Sequence, residues 1–311
     1  MSVVLDPQGT MELGTTLTAR ADTTPRWREY LSLTKPRIAV MGLVTVALGF
    51  MLATTAEWSV ATLGHALFGI GLVAASCSAL NQWLERDSDR LMARTANRAL
   101  PSGRLMPSEV LSFGLLLAVV GLAELMWFVN VLTALLSAAT LLLYVVVYTP
   151  LKRRTSLCTT IGAIPGAMPP VLGWVAAGGE LNAGAFALFA TLFVWQFPHF
   201  LAIAWLYREQ YASAGLRMLP QSRPAPRVTG WLCVGYALAL IPVSLLLKDA
   251  ALAGDWFALI AVVLGVGYVA FSVRFLLAES VKTARQLLWF SLVYLPALLL
   301  ALTWDHWRLL S

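Results

Sequence analysis

The chain has 311 residues, of which 59% are hydrophobic and only 12% are charged, about half of the ~25% charged share of a typical soluble domain. So few polar residues cannot cover the core of a water-soluble globule, and the high hydrophobicity equally excludes a disordered chain. The net charge of +6 does not indicate a nucleic-acid partner, because the basic residues lie between apolar runs. The composition predicts a polytopic protein embedded in the lipid bilayer.

The N-terminal segment is polar and rich in Thr, and it contains no apolar run that could serve as a signal peptide or a membrane helix. We therefore predict that residues 1–29 form a disordered cytoplasmic tail and that residues 30–311 form a single transmembrane domain.

Apolar stretches long enough to cross a membrane follow one another along the rest of the chain. A membrane-spanning helix needs about 20 mostly apolar residues, and nine stretches meet this requirement. The predicted fold class is all-α, a bundle of about nine transmembrane helices, with Asn130 as the turn between the third and the fourth. The predicted spans cover residues 38–56, 59–84, 109–128, 130–149, 157–178, 182–206, 228–247, 256–276 and 285–304.

Basic residues orient the predicted bundle, because Lys and Arg concentrate in cytoplasmic loops. If the N-terminus is cytoplasmic, only Lys248 and Arg308 of the 22 Lys and Arg residues lie on the opposite side. This asymmetry requires an odd number of helices, which agrees with nine. We predict a multi-pass protein with a cytoplasmic N-terminus.

Two cytoplasmic loops, at about residues 85–108 and 207–227, are longer than the others, and functional residues concentrate on loops held by a rigid scaffold. At about 100° per residue, Asn81, Glu85 and Asp89 fall on one side of the helix that leads into the first loop. Their two carboxylates would repel each other unless a cation lay between them. Because Mg²⁺ takes oxygen ligands and completes its shell with water and phosphate oxygens, the pattern predicts a magnesium site.

Arg94 and Arg98 follow these carboxylates, also at a spacing of four residues. Guanidinium groups bind phosphate oxygens well, so the order of acidic and then basic residues indicates a metal-bridged diphosphate. The alternative is a charged helix end stabilised by salt bridges between residues four apart. Polar groups at the end of a membrane helix are costly and usually functional, which favours the metal site.

Five stretches in a fixed order carry a family resemblance. The first is NQWLERDSDRLMARTANRALPSGR at residues 81–104. The other four are Thr34–Arg37, Tyr148–Thr155, Ile161–Trp174, and Trp195–Phe200 followed by Tyr211–Pro220. Together they resemble the UbiA-type intramembrane prenyltransferases and, within that superfamily, the protohaem IX farnesyltransferases, also called haem o synthases.

The resemblance implies a nine-helix bundle in the cell (inner) membrane, with a central cavity that opens toward the cytoplasm. It also implies a Mg²⁺-dependent enzyme that transfers a farnesyl group from farnesyl diphosphate to a vinyl group of protohaem IX. Water adds in the same reaction, which gives haem o and diphosphate. A downstream haem A synthase or the assembly of a terminal oxidase would then supply protein partners.

Residue roles also follow from the resemblance. Asn81, Glu85 and Asp89 are expected to hold Mg²⁺ and to act in catalysis. Gln210 stands where these enzymes usually have Asp, so either Glu209 supplies the catalytic carboxylate instead, or the second metal-binding patch has a weaker affinity. The residues expected to bind the diphosphate are Arg94, Arg98, Lys152 and Arg153.

Trp195 and His199 are predicted to line the pocket for the haem or the prenyl chain. For His199, two interpretations stay open: a packed, hydrogen-bonded histidine, or a contact with the iron or a propionate of haem.

Three other functions share some of these features. A transporter would also have many helices, but its charged groups would lie within the membrane and not in loops. A prenyltransferase for a quinone precursor or a chlorophyll-type ring shares most of the motifs, although Pro198–Phe200 and Met218–Pro220 resemble the protohaem branch. A non-catalytic haem-handling scaffold is the third alternative, because one carboxylate is missing at Gln210.

Overall fold

The structure, a computed structural model, describes residues 25–53, 59–219 and 227–311, and all regular secondary structure in these ranges is helical. This agrees with the predicted all-α class. The helices are α1 Arg26–Leu33, α2 Pro36–Ala53, α3 Val60–Arg90, α4 Pro107–Phe128, α5 Val131–Leu142, α6 Thr149–Leu151, α7 Cys158–Ala176, α8 Ala183–Leu206, α9 Arg208–Ser213, α10 Val228–Asp249, α11 Asp255–Leu277 and α12 Val281–Leu310, with a π-helical turn at Leu143–Tyr148 between α5 and α6.

Eight helices within the described residues are long and apolar enough to cross a bilayer. One of them is continuous from α5 through the π-helical turn to α6, over Val131–Leu151. The remaining predicted span corresponds to α7, which has 19 residues but contains Pro165, Pro169 and Pro170. Proline lowers the apolar character of α7, so α7 falls outside those eight, although its position agrees with the prediction of about nine spans.

The turn predicted at Asn130 is confirmed. The Asn130 side chain caps α5 by accepting a hydrogen bond of 2.8 Å from the backbone N–H of Thr133. Its amide nitrogen donates to the carbonyl of Val175, also at 2.8 Å. Asn130 therefore ends one span, begins the next and ties both to α7.

The predicted N-terminal tail is only partly testable, because residues 1–24 lie outside the described residues. The prediction is wrong for residues 26–29, which form the beginning of α1. Tertiary contacts hold α1 in place: Glu29 pairs with Arg104 at 2.7 Å, and the Tyr30 ring packs edge-on against Phe113 at 5.1 Å between centroids. The sequence of the segment alone does not reveal these distant partners.

Helices α2 and α7 approach each other closely because each offers a glycine to the other's backbone. A Cβ atom on Gly49 would lie 1.9 Å from the carbonyl oxygen of Pro170, and one on Gly173 would lie 1.8 Å from that of Val46. Any larger residue at either position would force the helices apart. This close packing fixes α2 against α7, and the N-terminus of α2 leads directly into the candidate site.

Successive helices run in opposite directions, so their termini collect at two ends of the bundle. We call one of them the basic end: it contains the start of α2 and the C-termini of α3, α6 and α8, together with the loops that follow. The opposite end contains the loop between α10 and α11 and the C-terminus of α12. Almost all of the described Lys and Arg residues belong to the basic end.

Candidate active site

The last three turns of α3 supply the polar side chains at the centre of the basic end. Asn81 and Asp89 are almost completely buried, with 2% and 1% of their surface exposed. The Glu85 side chain is 12% exposed. The amide nitrogen of Asn81 donates to the Thr149 hydroxyl at 3.1 Å. As predicted from their spacing, the three residues lie on one helix and face the interior.

Each carboxylate of α3 has its own basic partner from another part of the chain. Lys152 Nζ lies 2.7 Å from Glu85 Oε1, and Arg98 Nη1 lies 2.6 Å from Asp89 Oδ2. The expected repulsion between the carboxylates is thus offset by two protein cations. The other Asp89 oxygen, Oδ1, is buried and has no hydrogen-bond partner among the described residues.

Lys152 lies directly after the π-helical turn and α6. Burial alone would lower the pKa of Lys152, but the neighbouring Tyr148 and Glu85 groups raise it well above its usual value. The Lys152 ammonium lies 4.4 Å from the centre of the Tyr148 ring. Gly162 makes room for this ring, since a Cβ there would lie 2.5 Å from it. Isolated π-helical turns often mark functional sites, and this one places Tyr148 and Lys152 beside Glu85.

Lys35 is a site residue to which the sequence reasoning assigned no role. It lies between α1 and α2 with a left-handed backbone, φ 48°. Burial lowers the pKa of Lys35 to about 8, and the nearby charges of Arg98 and Lys152 act in the same direction. The signal was present in Thr34–Arg37, which contributed only to the family resemblance. A basic residue at the start of the first span, on the side where the other charges collect, could have indicated the role.

Arg94 lies in the loop that follows α3, and its side chain contacts Tyr207, just before α9, and Tyr211 within α9. Its guanidinium carbon is 4.8 Å from the centre of the Tyr207 ring and 5.9 Å from that of Tyr211. It also donates to the Tyr211 hydroxyl at 3.3 Å. These contacts join the loop after α3 to the loop after α8, so the two long loops singled out in the sequence meet at one end of the bundle.

A cavity of about 270 Å³ opens beside Glu85. Arg153, another predicted diphosphate ligand, contributes to its wall. The complete lining is Leu84, Glu85, Thr149, Pro150, Arg153, Arg154 and Leu216. Acidic and basic side chains therefore border one cavity at the basic end, an arrangement that can hold a cation and a polyanion next to each other.

Residues 42–295, more than half of the chain, match the UbiA prenyltransferase family. The chain belongs to this family. Among its relatives, a protein of Solibacter usitatus named protoheme IX farnesyltransferase is 45% identical over 278 residues, covering 86% of this chain and 95% of the relative. A protein of Myxococcus xanthus with the same name is 43% identical over 292 residues, covering 93% and 99%. The resemblance stated from the motifs is confirmed.

Solved structures of UbiA proteins share the fold. A digeranylgeranylglyceryl phosphate synthase superimposes with a TM-score of 0.77 at 16% identity, covering 92% of this chain and all of that one. A UbiA homologue from Archaeoglobus fulgidus, whose structure contains GPP and Mg²⁺, superimposes with a TM-score of 0.60 at 17% identity, covering 88% and 99%. At this identity the likeness concerns the fold alone, and it agrees with the predicted UbiA-type bundle.

The prediction that Glu209 supplies a catalytic carboxylate of this UbiA protein is not supported by its position. The Glu209 side chain is 86% exposed and pairs with its neighbour Arg208 at 3.2 Å. Gln210 instead faces the site, because its Oε1 accepts a hydrogen bond from the backbone N–H of Arg94 at 3.4 Å. On the short helix α9, adjacent residues point in different directions, and Glu209 does not share the contact that Gln210 makes with Arg94; its catalytic role stays a prediction.

Trp195 and His199 lie deeper in the UbiA bundle, on α8. The Trp195 indole donates to the carbonyl of Ser291 at 3.1 Å, and His199 Nδ1 lies 2.8 Å from the hydroxyl of the same residue. Their rings stack at 5.3 Å between centroids. They do not contact the carboxylates of α3, and their assignment to a haem or prenyl pocket stays a prediction.

Proposed function

We propose that this UbiA protein transfers a farnesyl group from farnesyl diphosphate to a vinyl group of protohaem IX, with addition of water, and releases diphosphate. The observation that supports this most strongly is the high identity, over nearly the full length, to relatives named protoheme IX farnesyltransferase. The buried acidic and basic groups at the basic end support the diphosphate half of the reaction. The product would then serve a haem A synthase or a terminal oxidase.

The residues at the end of α3 are suited to a hard divalent cation. Asp89 Oδ1 is buried without a hydrogen-bond partner in the described ranges, so it has a free coordination position. The described residues contain no group of three or more His, Cys, Asp or Glu side chains that could hold a metal by themselves. An incomplete protein shell is what Mg²⁺ uses when phosphate oxygens and water complete it. In this proposal Asn81, Glu85 and Asp89 hold Mg²⁺.

When bound, Mg²⁺ would offset the negative charge that develops on the departing diphosphate. Lys152 and Arg98 contact Glu85 and Asp89 in this structure. If the carboxylate oxygens turn to a metal, these two cations become available to phosphate oxygens nearby, with no large movement of the backbone. Arg94 and Arg153 border the same region and would add further contacts, as would the buried Lys35.

Aromatic rings near Lys152 suit the carbon skeleton that remains after diphosphate leaves. The face of Tyr148 already accepts the Lys152 ammonium at 4.4 Å, so it can also accept an allylic cation. Tyr144 packs against Tyr148 at 5.1 Å between ring centres. These rings would stabilise the positive charge that develops as the allylic carbon–oxygen bond breaks.

The concentration of Lys and Arg at the basic end supports a cytoplasmic position for this end, since positive residues remain on the cytoplasmic side of membranes. In a bacterial cell this corresponds to the inner membrane with a cytoplasmic N-terminus. Reporter domains fused after Arg154 and after Lys248 would test the orientation, and the proposal requires them to report opposite sides.

Mass spectrometry of extracted haem tests the function. Membranes that contain the protein are supplied with farnesyl diphosphate, protohaem IX and Mg²⁺, and the expected product carries the added mass of a farnesyl group and one water. Membranes with the Asp89→Asn variant serve as the control and should yield unmodified haem. Release of diphosphate with a prenylated quinone precursor, and unmodified haem, would overturn the protohaem assignment. Unmodified haem without any release of diphosphate would contradict the proposal that the protein is a prenyltransferase.

A further inference from the structure

His199 lies inside the bundle, between a central apolar cluster and the basic end. It follows Trp195 by one helical turn on α8, and Trp195 packs against residues of α2, α7, α8 and α12. The buried members of this cluster are Ala167, Leu192, Leu295 and Leu299, and Leu48 packs against them. His199 precedes the end of α8 by seven residues, about 10 Å at 1.5 Å per residue.

The hydrogen bonds around His199 favour one of its two neutral tautomers. The Ser291 hydroxyl donates its one hydrogen to the carbonyl of Leu288 at 2.6 Å. Having donated this hydrogen, the Ser291 oxygen can only accept a hydrogen bond from His199 Nδ1, which lies 2.8 Å away. A serine hydroxyl has one donor and two acceptor positions, so we assign the hydrogen of the ring to Nδ1 and the free lone pair to Nε2. Nε2 forms no hydrogen bond with another described residue.

Two further contacts hold the imidazole ring in one orientation. Trp195 stacks on it with an angle of 25° between the ring planes, and the Trp195 indole is itself fixed by the Ser291 carbonyl. The hydroxyl of Tyr268, from α11, donates to the Trp195 carbonyl at 3.1 Å. Ser291 thus positions both rings of α8, and helices on two sides restrict their movement.

We infer that His199 Nε2 is an axial ligand of the protohaem iron, and that Ser291 is the positioning residue that presents this nitrogen. The inference rests on the proposed function, because it takes the haem acceptor as given. Metal-binding histidines generally donate their other ring N–H to a fixed acceptor, which orients the ring and increases its basicity. Histidine is also a common ligand of haem iron. Ser291 provides the acceptor on the noncoordinating side.

The other two histidines differ in ways that sharpen this assignment. His65 Nδ1 pairs with Glu124 at 2.7 Å, far from the basic end. His306 Nε2 has no hydrogen-bond partner among the described residues, but the atom is buried and lies at the opposite end of the bundle. His199 is only half-buried and lies on α8, seven residues before the end of this helix at the basic end.

Haem titration of the purified full-length protein in nanodiscs tests the inference. The wild type should bind protohaem IX more tightly than metal-free protoporphyrin IX, with the absorption spectrum of a histidine-ligated iron. His199→Gly should lose this preference and this spectrum, and added imidazole should restore both. Ser291→Ala, which keeps the ligand but removes its hydrogen-bond acceptor, should weaken protohaem binding by roughly 10–100-fold and leave protoporphyrin binding unchanged. His65→Gln is the control and should match the wild type.

The outcomes separate this inference from the proposed function. If wild-type membranes produce farnesylated haem but His199→Gly binds protohaem with the wild-type affinity and spectrum, the ligand assignment is wrong and the function stands. If His199→Gly does not fold, Ser291→Ala decides: equal losses for protohaem and protoporphyrin, or no loss for either, contradict ligation. If wild-type membranes produce no prenylated haem although the titration shows a histidine-ligated iron, the function fails and the ligand stands.

Discussion

Two buried aspartates, one at each end of the bundle, show how differently a carboxylate can be used. Asp305, at the opposite end, is 0% exposed and Asp89, at the basic end, is 1% exposed. Each pairs with an arginine, Arg308 and Arg98 respectively. Asp305 Oδ2 also accepts hydrogen bonds from the backbone N–H groups of Gly254 and Phe257, at 2.7 and 3.0 Å. Asp89 Oδ1 accepts none from the described residues.

This difference separates a structural carboxylate from one that can bind a ligand. Asp305 uses both oxygens to cap α11 and to pair with Arg308, so its binding capacity is exhausted within the fold. Asp89 is equally buried, and a buried polar atom without a partner costs stability. At Asp89 this cost has no compensation among the described residues, and the proposed function assigns the unused oxygen to a metal.

The largest expected effect is the loss of activity on substitution of Asp89. Asp89→Asn keeps the shape of the side chain but removes its charge, and with it most of its attraction for a divalent cation. We expect transfer to fall by on the order of 10²–10³-fold, the scale found when a charge-stabilising group is removed from an active site. Glu85→Gln should act in the same direction. Product formation per folded protein, measured by mass spectrometry, checks this.

Asp305→Asn is the matched control for Asp89→Asn. It should lower the melting temperature, because it weakens the cap of α11, while the activity of the folded protein stays near that of the wild type. The comparison would be broken if Asp89→Asn retained wild-type turnover, or if Asp305→Asn abolished it without loss of folded protein.

The second prediction concerns the stability of the buried pair between Glu85 and Lys152, each 12% exposed. Lys152→Met leaves the Glu85 charge buried without its partner, which should lower the free energy of unfolding by about 3–5 kcal/mol. The double variant Glu85→Gln, Lys152→Met removes both charges and should be more stable than Lys152→Met alone. Unfolding in mixed micelles measures this, and additive losses from the two substitutions would contradict the pairing.

Much of the fold could be predicted because its determinants are local. Runs of about 20 apolar residues define the membrane helices, and Asn130 indicates the turn between two of them. The spacing of Asn81, Glu85 and Asp89 predicts that they lie on one face of a helix. In the structure all three belong to α3. The family assignment followed from motifs that occur in a fixed order, and the comparisons confirm it.

The pairing of charges within the site could not be predicted, because it depends on how distant helices pack. Glu85 and Lys152 are far apart in the sequence and meet only when α3 and α6 lie side by side. The carboxylates were expected to need an external cation, whereas Lys152 and Arg98 already offset their charge. Glu209 was chosen for its charge, but the direction of its side chain on α9 depends on the helix start, which the sequence does not define.

The third prediction uses Lys35, whose pKa burial lowers to about 8. A bound diphosphate favours the charged ammonium and therefore raises this pKa, so binding at pH 8 takes up protons. As the pH rises above 8, the free protein loses the ammonium and the affinity for diphosphate falls. Calorimetric titration with an unreactive farnesyl diphosphate analogue, in two buffers of different ionisation enthalpy, measures the uptake.

Lys35→Arg is the control, because a guanidinium stays charged throughout this range. The variant should bind the analogue with less proton uptake near pH 8 and with a smaller decrease in affinity at higher pH. Equal proton uptake in the wild type and in Lys35→Arg would show that another group titrates, and the role given to Lys35 would be wrong.

The smallest effect is expected at Gln210, where the family resemblance leads us to expect Asp. In this structure Gln210 Oε1 accepts the backbone N–H of Arg94 at 3.4 Å, a long hydrogen bond that contributes little, about 0.5–1.5 kcal/mol at most. Gln210→Asp would lose part of this contact but restore the usual charge near Arg94. We therefore expect activity equal to that of the wild type or modestly higher, measured as initial rates over a range of Mg²⁺ concentrations. An inactive Gln210→Asp protein that still folds would show instead that this site depends on a neutral amide to join its two long loops, so that the basic end of this UbiA protein has been rebuilt around Gln210.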